Sequence, residues 1–264
     1  MTPPLSHAGL VEILDEAAAL VRRTRLHPDA VRLKADGSPV TALDREVDAF
    51  LRAELLRLTP EAGWLSEESP DDGSRRTAPF TWIVDPIDGT EELIAGRDEI
   101  AISAALVRDG SVIAAAVVNP LRGERGIFVE GAPPAFEGLA PAAPVSALDA
   151  AEAIVSRTES ARGDLRRLEG IVARTRAVGS VAYKLLRVAA GADHLTYSVR
   201  PKREWDVAGG IALVQGAGGS VVRLDGAPIR FNRDDTRIPS GHVAGPAALV
   251  MAAKDAILTR LGRP

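Results

Sequence analysis

Two carboxylates stand close together in the run Trp82-Ile83-Val84-Asp85-Pro86-Ile87-Asp88-Gly89-Thr90-Glu91-Glu92-Leu93. An apolar strand ends in Asp85, Pro86 removes a ladder donor, and Gly89 permits a tight turn into a short helix that Thr90 opens. Paired acids at the mouth of a strand-turn-helix repel each other unless a divalent cation lies between them. Hard oxygen ligands of this kind suit Mg²⁺, which takes a few carboxylates and keeps room for water and phosphate oxygens. The amides of Gly89, Thr90 and Glu91 would face an anion beside that cation. A plain turn uses Asp-Pro and Asp-Gly as well, so this segment alone leaves both readings open.

Two further acidic segments bear on the choice. Glu67 and Glu68 follow the apolar step Trp64-Leu65-Ser66, and Asp206 stands in Glu204-Trp205-Asp206-Val207-Ala208-Gly209-Gly210-Ile211 at the start of a helical run. Taken singly, a Glu-Glu pair is a solvated surface and a helix-initial Asp is a cap.

These acids need elements to carry them. Apolar periodicity predicts helices over about Ala8–Thr24 and Ala42–Leu58, separated by the turn-rich Lys34-Ala35-Asp36-Gly37-Ser38-Pro39-Val40-Thr41. Thr81–Asp85 and Gly126–Glu130 read as strands. Ile100–Val107 and Val112–Val118 flank Asp109-Gly110 and read as a hairpin. Residues 1–145 therefore read as helices on a mainly antiparallel sheet, and Gly131–Pro144 as a connection. Residues 146–264 alternate: strands at Ala153–Ser156, Leu195–Val199 and Ser220–Leu224, and helices at Ser180–Ala190, Val207–Gln215 and Ala247–Leu261. That alternation suggests an α/β layer, with both halves forming one catalytic unit.

The bulk properties narrow the chemistry. The 264 residues include no cysteine, which excludes disulfides, thiolate metal sites and thiol nucleophiles. A net charge of -4 lacks the basic excess of a nucleic-acid binder. No apolar run is long enough to cross a bilayer, and Met1–Ala8 lacks the features of a secretory signal. A cytoplasmic protein acting on a small molecule, with neither nucleic acid nor membrane as partner, is the expectation. His7, His27, His194 and His242 show no ligand-like spacing.

In order, Glu67-Glu68, Asp85-Pro86-Ile87-Asp88-Gly89-Thr90 and Trp205-Asp206-Val207-Ala208-Gly209-Gly210 resemble the motifs of the inositol monophosphatase superfamily. The match runs over essentially the whole chain. The resemblance implies a layered α/β/α/β/α sandwich of the sugar-phosphatase type. It implies two or three Mg²⁺ held by Glu67, Asp85, the carbonyl of Ile87, Asp88 and Asp206, with Asp85 bridging. Glu67, Thr90 and Asp44 would be catalytic, Thr90 orienting the attacking water with Asp44 as its partner. Gly89 and Thr90 would cradle the phosphate, and the Lys34–Thr41 segment would be a mobile loop that helps place a further metal.

Asp88-Gly89-Thr90-Glu91-Glu92-Leu93-Ile94, the Glu204-Trp205-Asp206 step and Asp225-Gly226-Ala227-Pro228-Ile229-Arg230-Phe231-Asn232 are most similar to the 3′(2′),5′-bisphosphate nucleotidase branch. That implies hydrolysis of adenosine 3′,5′-bisphosphate to AMP and phosphate, a task of sulfate assimilation, with lithium sensitivity. Gly179, Ser180 and Glu204 would then contact substrate. Glu91 and Leu93 depart from the branch's lysine and phenylalanine, and Lys184 is offset from its usual place. Tyr183 and Tyr197 are candidates to stack an adenine, with core packing as the alternative. Arg200, Lys202 and Arg203 are candidates for a second phosphate, with a solvated loop as the alternative. An inositol-1-monophosphatase and a non-catalytic anion-binding protein on the same scaffold remain as competing readings. A homodimer is possible by resemblance.

Overall fold

A computed structural model describes residues 7–24, 31–33 and 39–262. The loop residues Lys34, Ala35, Asp36, Gly37 and Ser38, and His27, lie outside the described residues. Two amphipathic helices, α1 (His7–Arg23) and α2 (Ala42–Leu58), bury Leu10, Leu14, Ala17 and Val21 and Val47, Leu51 and Leu55 on one face of a sheet. Its strands run β3 (Ala62–Ser66), β4 (Phe80–Asp88), β5 (Ala101–Arg108), β6 (Ser111–Asn119), β7 (Glu124–Val129) and β8 (Ala135–Glu137), in that spatial order. Only β3 and β4 are parallel; the other neighbours are antiparallel. A short antiparallel pair, β1 (Val31–Leu33) and β2 (Pro39–Thr41), precedes α2.

Strand alternation assigns the two faces of this sheet. Trp82, Val84, Ile102, Ala104 and Leu106 join α1 and α2, while Ile83, Ala101, Ala105, Ala115 and Val117 meet α5 (Val181–Ala189) and α6 (Glu204–Gly216). Asp85 shares the face of Ile83 and so points toward α5 and α6. Beyond these helices lies a second sheet, ordered β10 (Arg174–Val178), β9 (Glu152–Ser156), β11 (Leu195–Ser198), β15 (His242–Gly245) and β13 (Ser220–Arg223). Its inner residues Ile154 and Ala244 pack with α5 and α6, and its outer residues Val155, Tyr197 and Val243 pack with α7 (Ala247–Leu261). The five layers are thus α, β, α, β, α, as the resemblance implies. A turn of helix, α4 (Arg157–Ala161), follows β9, and β12 (Lys202–Arg203), which leads directly into α6, pairs with the later β14 (Arg237–Ile238).

Three local expectations are corrected. Pro86 does not stop β4, which runs on to Asp88. The register slips between Asp85, opposite Ser103, and Asp88, opposite Ala101, so the missing donor of Pro86 falls in an interruption of the ladder. The Gly131–Pro144 connection contains β8, paired to β7. Helix α6 begins at Glu204 rather than Val207, because Asp206 accepts the Arg203 N–H at 2.8 Å and caps the first turn.

Candidate active site

Three acids from three elements converge. Glu67 lies just past β3, Asp85 near the end of β4, and Asp206 in the first turn of α6; one carboxylate oxygen from each lies within 4.8 Å of the others. Asp85 is 1 % exposed, and among the described residues no donor meets its carboxylate. Burial raises its pKa well above the carboxylate range, and Glu67, Asp88, Asp206 and Asp44 push the same way. Asp206 is pushed up to about 7 by burial and then by Asp88. A buried anion without a donor, crowded by like charges, is the signature of a site completed by a cation. The donors are carboxylates, with the carbonyl of Ile87 beside them in the cavity wall, which fits Mg²⁺.

Asp88 stands beside this trio rather than in it. Its Oδ2 accepts from Ser180 Oγ at 2.7 Å and from the Ala182 N–H at 2.6 Å, at the N-terminus of α5. Burial raises its pKa, opposed by those bonds and by Lys184. One oxygen is thereby committed to the fold and the other is left for the site. Lys184 is 3 % exposed and donates to the carbonyls of Val178 (3.3 Å), Gly179 (2.9 Å) and Ser180 (2.7 Å). It holds a turn in which Ser180 has φ 39°, an unfavourable backbone for a residue other than glycine. Burial lowers the pKa of Lys184 to about 8.

The next step along the chain places a hydroxyl. Gly89 has φ 102°, a conformation that L side chains rarely adopt, and turns the chain from β4 into α3 (Thr90–Ile94). Thr90 Oγ1 donates to Asp44 Oδ1 at 2.7 Å and approaches the Ile87 carbonyl at 3.2 Å. Asp44 is buried at the start of α2, and its Oδ2 takes the N–H (2.9 Å) and the hydroxyl of Thr41. Because Thr90 gives its proton to Asp44, its lone pairs face the cavity as acceptors. The geometry joins the two residues that the resemblance pairs.

Glu67, Ile87, Asp88, Thr90 and Asp206 line a cavity of about 600 Å³ that also takes in Gly89, Gly179, Ser180 and Lys184, with Asp85 and Asp44 buried behind its wall. Its remaining wall carries six cations, Arg157, Arg162, Arg200, Lys202, Arg203 and Arg237, against three acids, Glu91, Glu92 and Glu159. Three of these cations are engaged: Arg157 pairs with Glu99 and, at 3.3 Å, with Glu92. Arg200 forks onto Asp164 at 2.8 and 2.5 Å, and Lys202 meets the buried Glu159 at 2.9 Å. Arg157, Arg162 and Glu159 escaped the sequence reading. Their signal was Ser156-Arg157-Thr158-Glu159, a polar turn at the carboxyl end of a strand, where α/β folds place ligands.

Other predicted contacts are not in the cavity. Glu204 is wholly buried and bonds to backbone behind the site, so it does not line the cavity as a substrate residue. Tyr183 is buried with its hydroxyl on Glu124, and Tyr197 lies in the core under α7. Neither is placed to stack a base, and no aromatic side chain lines the cavity among the described residues. His194 bonds to Glu152 and Ala143, while His242 is buried.

The profile of the "Inositol monophosphatase family" matches residues 7–258. An inositol-1-monophosphatase of Rhizobium meliloti (strain 1021) is 34% identical over 202 residues, covering 72% of this chain and 73% of that protein. A 3′-phosphoadenosine 5′-phosphate phosphatase of Mycobacterium bovis is 32% identical over 202 residues, covering 74% and 73%. The crystal structure of extragenic suppressor protein suhB from Bartonella henselae aligns with a TM-score of 0.79 at 25% identity, covering 95% of this chain and 97% of that one.

Proposed function

The chain belongs to the inositol monophosphatase family, and on that premise we propose that it is a Mg²⁺-dependent phosphomonoesterase acting on adenosine 3′,5′-bisphosphate. Glu67, Asp85 and Asp206 would hold the metal, with the free oxygen of Asp88 and the Ile87 carbonyl beside them. Bound Mg²⁺ supplies a more acidic water and charge stabilisation for the transferring phosphate. The chain's own residues do the rest. Thr90, held by Asp44, offers an oxygen lone pair to the proton of the attacking water. Asp44 fixes that polarity because its second oxygen is saturated by Thr41. Gly89 and Thr90, at the turn into α3, line the place where the phosphate would sit.

The observation that carries the second-phosphate reading is the basic wall. Arg162 and Arg237 have no side-chain ion pair among the described residues, and both face the same cavity as the acids. A charge-assisted bond to a second phosphate is the use such groups favour. The test is phosphate release from adenosine 3′,5′-bisphosphate against inositol 1-phosphate, both with Mg²⁺. Preference for the nucleotide by kcat/KM supports the proposal, and preference for the inositol ester overturns it. One observation favours that second reading: without an aromatic wall, the cavity suits a polar ring as well as a base.

A further inference from the structure

Glu204, the residue that introduces the Trp205-Asp206 motif, turns away from the cavity. Its carboxylate accepts the N–H of Asn232 at 2.6 Å and that of Arg233 at 3.1 Å. Asn232 holds φ 58°, a left-handed backbone that asparagine tolerates better than most residues. Arg75 clamps this corner. Its Nη1 donates to Asn232 Oδ1 at 2.6 Å, its Nη2 donates to the Arg233 carbonyl at 3.0 Å, and Asn232 Nδ2 returns a bond to the Arg75 carbonyl at 3.4 Å. Arg75 is 0 % exposed, and Asp71 takes its Nε at 3.0 Å.

Arg75 is in turn fixed to the first sheet. A Cβ on Gly63 of β3 would lie 2.3 Å from Arg75 Cα, so the two backbones are in direct contact. The Thr81 hydroxyl of β4 donates to the Arg75 carbonyl at 3.2 Å. β3 leads to Glu67 and β4 to Asp85, while Glu204 opens the helix that carries Asp206. A polar chain therefore runs from β4, the strand of Asp85, to the helix of Asp206, and β3, which leads to Glu67, packs on it at Gly63.

We propose that Arg75, Asn232 and Glu204 are positioning residues that set where α6 sits along its axis. They would thereby fix the separation at which Asp206 meets Glu67 and Asp85, and with it the cluster's affinity for a divalent cation. The inference rests on the carboxylate cluster being the metal site. Its physical basis is a difference in direction. α6 is buried between the two sheets, beside α5, by apolar packing, which holds a helix in its layer but says little about its axial position. Like-charge repulsion among the acids pushes Asp206 away whenever the cation leaves. A forked guanidinium with all its bonds fixed in a dry environment resists that displacement.

A purely structural staple would cost stability when cut and nothing else, so the test must read cation binding. Asn232→Gly keeps the left-handed backbone and both N–H donors to Glu204 but deletes the acceptor for Arg75. Arg75→Met removes the guanidinium, and if the loss of donors to Asn232 Oδ1 and the Arg233 carbonyl prevents folding, Asn232→Gly carries the test. Mn²⁺ binding to the metal-free protein is measured by electron paramagnetic resonance, with circular dichroism to establish that each variant is folded. Outer partners of metal ligands typically control affinity by about 10–100-fold, so the apparent Kd for Mn²⁺ is expected to rise about tenfold or more in each variant. The double variant should be no weaker than the weaker single one, since both cut one chain. The Mg²⁺ concentration for half-maximal activity should rise by the same factor, with kcat at saturating Mg²⁺ close to wild type. An unchanged Mn²⁺ Kd in a folded Asn232→Gly protein overturns the inference while leaving the metal site intact. A wild-type protein that binds no Mn²⁺ overturns the metal reading itself.

Discussion

Asp44→Asn inverts one hydrogen bond and leaves the rest of the site in place. In the wild type, Asp44 Oδ2 is occupied by the N–H and hydroxyl of Thr41, and Oδ1 accepts the Thr90 proton at 2.7 Å. An asparagine must keep its oxygen toward the two Thr41 donors, which turns its NH₂ toward Thr90. Thr90 then accepts where it had donated, and its own proton turns to the Ile87 carbonyl, already 3.2 Å away, or into the cavity. The lone pair offered to water is lost. Positioned acid–base groups contribute about 10²–10⁴-fold, so kcat for phosphate release should fall by that factor, about 3–5 kcal/mol of barrier. Stability should change by only about 1 kcal/mol, because the shape is kept and most of the bonds survive. The assay is kcat at saturating substrate and Mg²⁺, with Mn²⁺ binding measured on the same preparation. Thr90→Val should lose a similar factor, and the double variant little more than either single one. A kcat for Asp44→Asn within tenfold of wild type, with metal bound, refutes the assignment of Thr90 as the water's acceptor.

Three further outcomes follow from the same geometry. Burial, followed by the charge of Lys202, lowers the pKa of His242 from 6.5 to about 3. The native state therefore binds fewer protons than the unfolded chain between those values, and its stabilisation is complete above pH 6.5 and drains away as pH falls toward 3, by up to about 5 kcal/mol. Asp206 and Glu204, both pushed up to about 7 by burial, act in the opposite sense. The readout is thus the difference between wild type and His242→Gln in metal-free denaturation curves, and a difference that does not vary with pH contradicts the account. Arg162→Ala should raise KM for adenosine 3′,5′-bisphosphate about tenfold, the worth of one charge-assisted bond, while leaving KM for a simple monoester unchanged; equal changes on both substrates argue against a second-phosphate contact. Chelation should abolish turnover and lower Tm, and Mg²⁺ at about 100 times its Kd should restore about 2.7 kcal/mol of stability; a Tm indifferent to Mg²⁺ would speak against a site in this cluster.

Local pattern carried much of the fold. The stripes of α1 and α2 and the Asp109-Gly110 hairpin are legible because a helix face and a tight turn each impose a short-range rule; Asp109 and Gly110 adopt φ 50° and 76° as such a turn demands. The end of β4 misleads, because Pro86 signals a stop only if the ladder is regular there, and the slip of register that accommodates it depends on β5. The start of α6 is hidden because Glu204 and Asp206 are polar, so apolar periodicity begins only at Val207. Glu204 shows the limit of motif reading. Its place beside Trp205-Asp206 suggests a substrate contact, but its partners Asn232 and Arg233 lie far along the chain, and no local rule connects them. Tyr183 and Tyr197 fail for a related reason: residue type advertises a stacking surface, while burial decides whether a ligand can reach it.

The distribution of the acids across the fold ties metal binding to tertiary structure. Glu67 and Asp85 belong to the first sheet, whereas Asp206 rides on α6, and Asp88 is tethered by Ser180 and Ala182 to the start of α5. Docking α5 and α6 onto the sheet and assembling the cation site are therefore one event. Apolar burial must drive it against the desolvation that raises the pKa of Asp85, Asp88 and Asp206, and against the mutual repulsion that adds to it at Asp85 and Asp206. A cation bound there would remove that repulsion, and would so stabilise the middle layer of the fold as well as the reaction. Conversely, any loosening of that layer spreads the acids and weakens the cation's hold before it touches Thr90 or Asp44, which sit on α3 and α2, outside that layer. Defects in the core between the sheets should thus be recoverable with excess Mg²⁺, and defects in the Thr90–Asp44 pair should not.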